Sequence, residues 1–204
     1  MRNSKSQKVL DEILGKDWKG TMVCDGLRSH HSFARRSGAK IQRCWAHLLK
    51  DAGELAEKCA EARPLNEGLH RIFDRLKKAL EKEPPPEERK KLARNAKLAM
   101  RRLMGKRYKK ARVRKFIEKI RRGYPYWFTF VTTPGIEPTN NRAERTLREH
   151  VVQRKIVGTF RNEKGTSIHE TIMTLLATWK QRGLNPSECW QRACVGKQQN
   201  RGNS

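Results

Sequence analysis

Residues 20–44 read G-T-M-V-C-D-G-L-R-S-H-H-S-F-A-R-R-S-G-A-K-I-Q-R-C, and this run decides the fold class. Gly20-Thr21-Met22-Val23-Cys24 is short and rich in apolar and β-branched residues, the composition of a buried strand, and it delivers Asp25-Gly26 at its carboxyl end. Residues 29–37 then suit a helix stopped by Gly38, and residues 39–44 a second short strand. Strand, helix, strand in that order predicts a parallel pair, because parallel neighbours need a crossover and a helix commonly supplies it. The expected class is α/β and helix-rich. In open sheets of this class sites are built at the carboxyl ends of strands, which is where Asp25 falls. An Asp-Gly pair is equally an ordinary turn, so both readings of Asp25 stand on the residues alone.

The second informative stretch is residues 133–148, T-P-G-I-E-P-T-N-N-R-A-E-R-T-L-R. Pro134-Gly135 and Pro138 hold the chain out of a helix until Thr139, and Asn140 or Asn141 suits the N-cap of the helix that follows. With Asn141 as cap, Glu144 occupies the third helical position and can reach back to the cap N–H. Ala143, Leu147 and Val151 follow helical spacing, with Glu144 at the edge of that stripe and Arg148 one turn on. A carboxylate placed there needs a cation, which is either Arg148 or a divalent metal.

Lys and Arg number 47 against 21 Asp and Glu in 204 residues, a formal charge of +26. Such a balance calls for a polyanion, DNA or RNA first, and says nothing of fold. Between Arg63 and Arg122 there are 23 Lys/Arg and 7 Asp/Glu, a surplus of 16, so most of the charge lies in one segment. Its apolar residues have helical spacing: Leu69, Ile72, Phe73, Leu76 and Leu80 before the break at Pro84-Pro85-Pro86, then Leu92, Ala96, Ala99 and Leu103, then Val113, Phe116, Ile117 and Ile120. Either this is a basic helical insertion that contacts nucleic acid or the charges are a solvated helix face. Arg101, Arg102, Lys109 and Lys110 are the phosphate-contact candidates here, and Arg154, Lys155, Arg161 and Lys164 further on.

Residues 124–132, Y-P-Y-W-F-T-F-V-T, are expected to anchor the end of that segment against the core, with stacking on unpaired bases as the alternative. Residues 158–165 read as a polar loop, Thr166 or Ser167 as the cap of a long helix ended by Gly183, and Asn185-Pro186 as the start of a short last one. No long apolar run or charged-then-apolar leader is present, so a cytoplasmic protein is expected. Five scattered cysteines suit reduced thiols better than a disulfide framework. Cys44-x-x-His47 is half of a zinc-site pattern, and no close Cys/His pair supplies the other half.

Five blocks together carry a family resemblance: V-C-D-G from Val23, Q-R-C-W-A-H-L-L-K-D from Gln42, E-P-T-N-N-R-A-E-R-T-L-R from Glu137, V-V-Q-R-K from Val151 and R-G-L-N-P-S-E-C-W from Arg182. They resemble the insertion-sequence-66 family of transposases, over roughly residues 8–190, with N-N-x-A-E-R the most specific element. The resemblance implies a partial ribonuclease H-like domain with a basic helical insertion, and a D-D-E triad in which Asp25 is the second acid and Glu144 the third. Both would be catalytic residues and metal ligands. His47, Asn141, Arg145 and Arg148 would lie near them. The family's first Asp lies on a strand before the position of Met1, so a truncated chain, inactive alone, is expected, with two Mg²⁺ or Mn²⁺ ions held only in the complete protein. The implied partners are transposon-end and target DNA and other transposition proteins of the element, in an oligomeric active complex and without a membrane. The family usually has an aromatic residue shortly after the Asp-Gly, where this chain has Leu27, His30 and His31. The organisation expected is 8–62 as part of the core, 63–122 as the insertion, 123–195 as the C-terminal core and 196–204 as a disordered tail. A non-catalytic basic nucleic-acid-binding protein is the competing expectation.

Overall fold

The structure is a computed structural model that describes residues 7–26, 28–141, 144, 145, 148 and 163–199. It falls into two compact units, Ser4–Asn141 and a second made up of Met1–Asn3 with Arg142–Ser204. In the larger unit α1 (Gln7–Leu14) leads to β1 (Thr21–Cys24), α2 (Arg28–Ser37) and β2 (Lys40–Arg43). The two strands pair in parallel with Thr21 opposite Lys40 and Cys24 opposite Arg43, as the strand-helix-strand pattern requires. Gly38, at φ 77°, ends α2 as expected, its N–H bonding the Ala34 carbonyl. Trp18 packs near Phe33, which is fully buried, and Arg36 pairs with Asp11 to hold α1 on α2.

Five helices follow: α3 (Trp45–Lys58), α4 (Arg63–Leu80), α5 (Pro86–Met104), α6 (Ala111–Gly123) and the one-turn α7 (Thr129–Thr132). Proline fixes two of these starts, Pro64 in the first turn of α4 and Pro86 at the head of α5, where a missing N–H costs nothing. Most of the apolar core lies in these helices. Leu65, Leu69, Ile72 and Leu76 from α4, Met100 from α5, and Val113, Ile117 and Ile120 from α6 close on Trp45, Leu48, Trp127 and Phe128 in one cluster. The strands and α2 contribute a much smaller cluster of Cys24, Ala34 and Ile41. The basic segment thus turns an apolar face inward and its Lys and Arg outward, and it shares its core with α3 and the aromatic run. Each fully buried aliphatic or aromatic side chain there stabilises the fold by about 1.5–3 kcal/mol.

The buried face of α5 differs from the expected stripe. Ala93, Ala96, Met100 and Met104 are buried, while Leu92, Ala99 and Leu103 flank them half-exposed. α5 is packed between α4 and α7, with two alanines and two methionines innermost, and Leu103 lies over Gly68 of α4, where a Cβ would come within 2.6 Å of it. Arg89 fastens the start of α5, donating to the Pro84 carbonyl at 3.0 Å and the Val131 carbonyl at 3.3 Å.

The aromatic run does what the sequence suggests: Trp127, Phe128, Phe130 and Val131 are all buried. It is joined to β2 by side chains rather than by a strand ladder. Gln42, fully buried, donates through Nε2 to the Arg43 carbonyl at 2.6 Å and the Trp127 carbonyl at 3.3 Å, and its Oε1 accepts the Phe130 N–H at 2.8 Å. Trp45 Nε1 donates to the Trp127 carbonyl at 2.7 Å, and Thr129 Oγ1 to the Ile41 carbonyl at 2.6 Å.

In the second unit α8 (Glu163–Gln181) and α9 (Pro186–Gln199) pack through Trp179 and Trp190, edge to face at 6.4 Å. α8 begins at Glu163, so residues 163–165 are helical where a loop was expected, and neither Thr166 nor Ser167 is its cap. The reason is that Glu163 and Lys164 are good helix formers, and Gly165 is tolerated inside a long helix. Its end is as expected: Gly183 has φ 67° and the Leu184 N–H bonds the Trp179 carbonyl. Asn185 caps α9 through its Oδ1 and the Ser187 N–H at 3.0 Å. α9 continues to Gln199, past Gly196, where the sequence suggests the tail begins.

Candidate active site

Asp25 stands exposed at the carboxyl end of β1, and the parallel register sets what surrounds it. The ladder runs one step further than the strands, with the Cys44 N–H on the Cys24 carbonyl at 2.9 Å, so the residues beside Asp25 are Arg43 and Cys44. Gly26 has φ 96°, a backbone that disfavours any side chain, and a Cβ there would overlap the Arg43 guanidinium. The space goes to Arg43. Its Nη2 donates to the Asp25 carbonyl at 3.2 Å and its guanidinium lies 4.8 Å over the Trp127 ring. Gly123 of α6 leaves room on the far side: a Cβ there would come 2.9 Å from Nη1. Only 7% of Arg43 is exposed, and its Nε has no hydrogen-bond partner. Burial pulls its pKa below the usual arginine value while the Cys24 and Asp25 charges pull the other way.

The segment that leads to Glu144 is fixed at this same edge. α3 starts directly after β2, and its first N–H, on Trp45, donates to the Pro138 carbonyl at 2.9 Å, satisfying a helix-terminal donor. Two residues on, the Asn140 N–H lies 3.4 Å from Cys44 Sγ. Asn140 therefore shares with Asp25 a cavity of about 400 Å³, lined also by Met22, Val23, Cys24 and His30. Two buried polar atoms in it, Asn140 Oδ1 and His30 Nδ1, have no hydrogen-bond partner. Asn141 is helical and Asn140 takes the position before it.

Asp25 also borders a larger cleft of about 740 Å³ whose wall is basic: Arg28 and Arg35 from α2, Arg43 from β2, and Lys119 and Arg122 from α6. His31 and Tyr126 line it too, their rings 4.8 Å apart. Burial and the charges of Arg43, His30 and Arg35 lower the His31 pKa, so its imidazole is mostly neutral at pH 7. Cys24, beneath Asp25, has its thiol pKa raised by burial above all.

The other expected residues lie on several elements of the two units. His47 is half-buried on the first turns of α3. Glu144, Arg145 and Arg148 belong to the second unit, where each is helical and exposed. Arg101 and Arg102 are exposed in the last turn of α5, with Arg101 lying over the Tyr124 ring at 5.1 Å. The side chains of Lys109 and Lys110 are exposed just before α6, and their backbone N–H groups bind the Glu61 carboxylate at 2.6 and 2.8 Å. Lys164 is exposed on α8, while Arg154, Lys155 and Arg161 lie outside the described residues. Sequence reasoning did not point to Arg28, Arg35 or Arg43, reached Lys119 and Arg122 only as members of the basic segment 63–122, and took Asn140 only as a helix cap. The available signal was the strand register, which sets Arg43 beside the Asp25 edge.

Among the described residues no three His, Cys, Asp or Glu side chains group to hold a metal ion. Among the described residues Asp25 is the one carboxylate lining either cavity, beside an imidazole, an amide and a guanidinium. This donor set does not by itself fit the oxygen-rich octahedron that Mg²⁺ requires. Cys24, Cys44, Cys59 and Cys189 are thiols. No described helix is long and apolar enough to cross a membrane.

Comparison with known proteins finds one family, described as "Transposase IS66 family", matching residues 1–168. No curated protein and no solved structure matches. The family match runs through both strands, Asp25, the shared helical core and the Glu144 segment, well over half of the chain, and the chain accordingly belongs to the IS66 family of transposases.

Proposed function

We propose that the chain is the DNA strand-cleaving and strand-joining component of an insertion sequence, with Asp25 and Glu144 as the second and third acids of a D-D-E triad in a ribonuclease H-like domain. One observation supports this most: the chain enters the Glu144 segment at the Asp25 edge of the sheet, tied there through Pro138 and Asn140. Strand cleavage by such enzymes is phosphoryl transfer, in which bound Mg²⁺ or Mn²⁺ activates the attacking oxygen and stabilises the leaving one. Asp25 and Glu144 would hold metal and the arginines would hold phosphate. Among the described residues the carboxylates of the larger unit fall short of a two-metal set, and in this reading a further acid comes from a strand ahead of β1, as the family pattern has it. Residues 63–122 serve in this reading as a helical insertion, His47, Asn141, Arg145 and Arg148 as surroundings of the acids, and DNA ends, target DNA and further copies of the chain as partners in the cytoplasm.

The single-acid donor set favours one other reading, a basic nucleic-acid-binding protein in which Asp25 and Glu144 are structural. A nicking assay separates the two. The chain joined to an upstream strand bearing an Asp should nick transposon-end DNA only with Mg²⁺ or Mn²⁺. Asp25→Asn and Glu144→Gln should each abolish nicking and leave DNA affinity nearly unchanged, because the charge of each ligand matters to metal chemistry and little to backbone contacts. Full nicking by Glu144→Gln would remove Glu144 from the triad, and absence of metal-dependent nicking in any form would leave the binding reading.

A further inference from the structure

The basic cleft beside Asp25 has no part in the triad, and the charge-rich segment that the sequence points to lies mostly elsewhere. Five cations from three elements converge on it: Arg28, Arg35, Arg43, Lys119 and Arg122, against the single carboxylate of Asp25. One of them is partly neutralised, since Lys119 pairs with Asp51 of α3. Arg122 Nε donates to the Glu118 carbonyl at 3.4 Å, which fixes its stem and leaves the rest of the guanidinium exposed. Arg28 and Arg35 stand exposed on the α2 wall.

The most telling member is Arg43. Arg43 is buried as a residue and its Nε lacks a partner, and such a cation is expensive to keep unless an anion meets it. Its bond to the Asp25 backbone carbonyl and its stacking on Trp127 hold it in one orientation, and Gly26 and Gly123 leave the room for it. A pre-oriented arginine fork at the floor of a cleft with cations on both walls suits phosphate oxygens, which accept two parallel N–H bonds. His31, mostly neutral, and Tyr126 add a wall with ring faces and polar edges, suited to sugar or base contact.

We propose that this cleft holds successive phosphates of one DNA strand beside Asp25, with Arg43 on the floor and Arg28, Arg35 and Arg122 on the walls. It is then the main electrostatic anchor of the DNA, ahead of the exposed Arg102, Lys109 and Lys110 near the α5–α6 connection. The proposal rests on the transposase reading for the polyanion being DNA.

The test is a salt titration of binding by fluorescence anisotropy, using the full chain and labelled transposon-end DNA. Each phosphate contact contributes about 0.9 to the slope of log K against log[salt]. The triple variant Arg28→Ala/Arg35→Ala/Arg122→Ala should lower the slope by about 2.7 and the affinity at 0.1 M salt by about 500-fold. Each single variant should lower the slope by about 0.9, which keeps the test usable if the triple variant melts early. The matched triple Arg102→Ala/Lys109→Ala/Lys110→Ala removes the same charge and should change the slope by less than half as much. An unchanged slope in the cleft triple, or equal losses in both triples, would overturn the cleft and leave the transposase reading standing. A wild-type chain with no salt-dependent DNA binding would overturn both.

Discussion

Replacing Gln42 with Met would keep the volume of a fully buried side chain and remove every polar contact it makes. Its two donated bonds, to the Arg43 and Trp127 carbonyls, are each worth about 1 kcal/mol net. The Trp127 carbonyl keeps its bond from Trp45 Nε1, so that loss is softened. The larger effect is on the Phe130 N–H, which would sit in a dry core with no acceptor, at about 1–3 kcal/mol. Together the loss should be about 2–4 kcal/mol, read as a lower urea midpoint with an unchanged slope. Trp45 and Trp127 flank the site of change, so their fluorescence reports it directly. Gln42→Glu distinguishes lost bonds from lost shape. It keeps an acceptor for Phe130 but puts a carboxylate in the core, where burial raises its folded-state pKa. With the folded pKa above the unfolded one, Gln42→Glu should come closest to wild-type stability below the unfolded pKa and lose ground as pH rises through the folded value. A loss under about 0.5 kcal/mol for Gln42→Met would refute the claim that Gln42 joins β2 to the aromatic run.

Three further outcomes are expected. Gly26→Ala should destabilise the fold by about 1–3 kcal/mol, since alanine disfavours φ 96° and its methyl would displace Arg43; a neutral result by thermal melting would mean the turn is not held as described. Elemental analysis should find no zinc at Cys44 and His47, because Cys44 Sγ faces the Asn140 N–H; about one zinc per chain, lost with the fold on chelation, would contradict this. The Glu61 carboxylate is held below its ordinary pKa of 4.5 by the Lys109 and then the Lys110 backbone N–H. A depressed folded pKa contributes stability above pH 4.5 that is lost as pH falls through the folded value, so Glu61→Gln should destabilise at neutral pH and converge with wild type in acid; equal differences at both pH values would exclude this anchor.

The chain's elements were largely legible in its sequence because local signals were strong. Alternation of strand and helix across residues 20–44 announced the parallel pair, and Pro86, Gly38 and Gly183 marked helix ends by their own backbone limits. The face of α5 was only partly legible: Leu92 and Leu103 look like core residues, yet they lie at the core's edge, and Ala93, Ala96, Met100 and Met104 are the ones buried between α4 and α7. The start of α8 was missed because Gly165 resembles a loop residue when its helical neighbours are ignored. At the site, Asp25 followed from the strand ending, but the cleft did not. Its cations come from α2, β2 and α6, positions far apart in sequence, and only the packing of α6 onto the strand edge brings Arg122 and Lys119 to Arg43. Counting charge along the chain pointed to residues 63–122, which include Lys119 and Arg122 of the cleft but not Arg28, Arg35 or Arg43.

The central claim, that Asp25 and Glu144 serve one metal site, is tested most directly by iron-mediated hydroxyl-radical cleavage of the protein. Fe²⁺ takes the place of Mg²⁺ in the chain joined to an upstream strand bearing an Asp and bound to transposon-end DNA, and the radicals cut backbone near the metal. Cuts should cluster within a few residues of both positions 25 and 144, fade as Mg²⁺ is added, and disappear at both positions in Asp25→Asn. Cuts near one position without the other, or cuts near 144 that survive Asp25→Asn, would contradict a shared site.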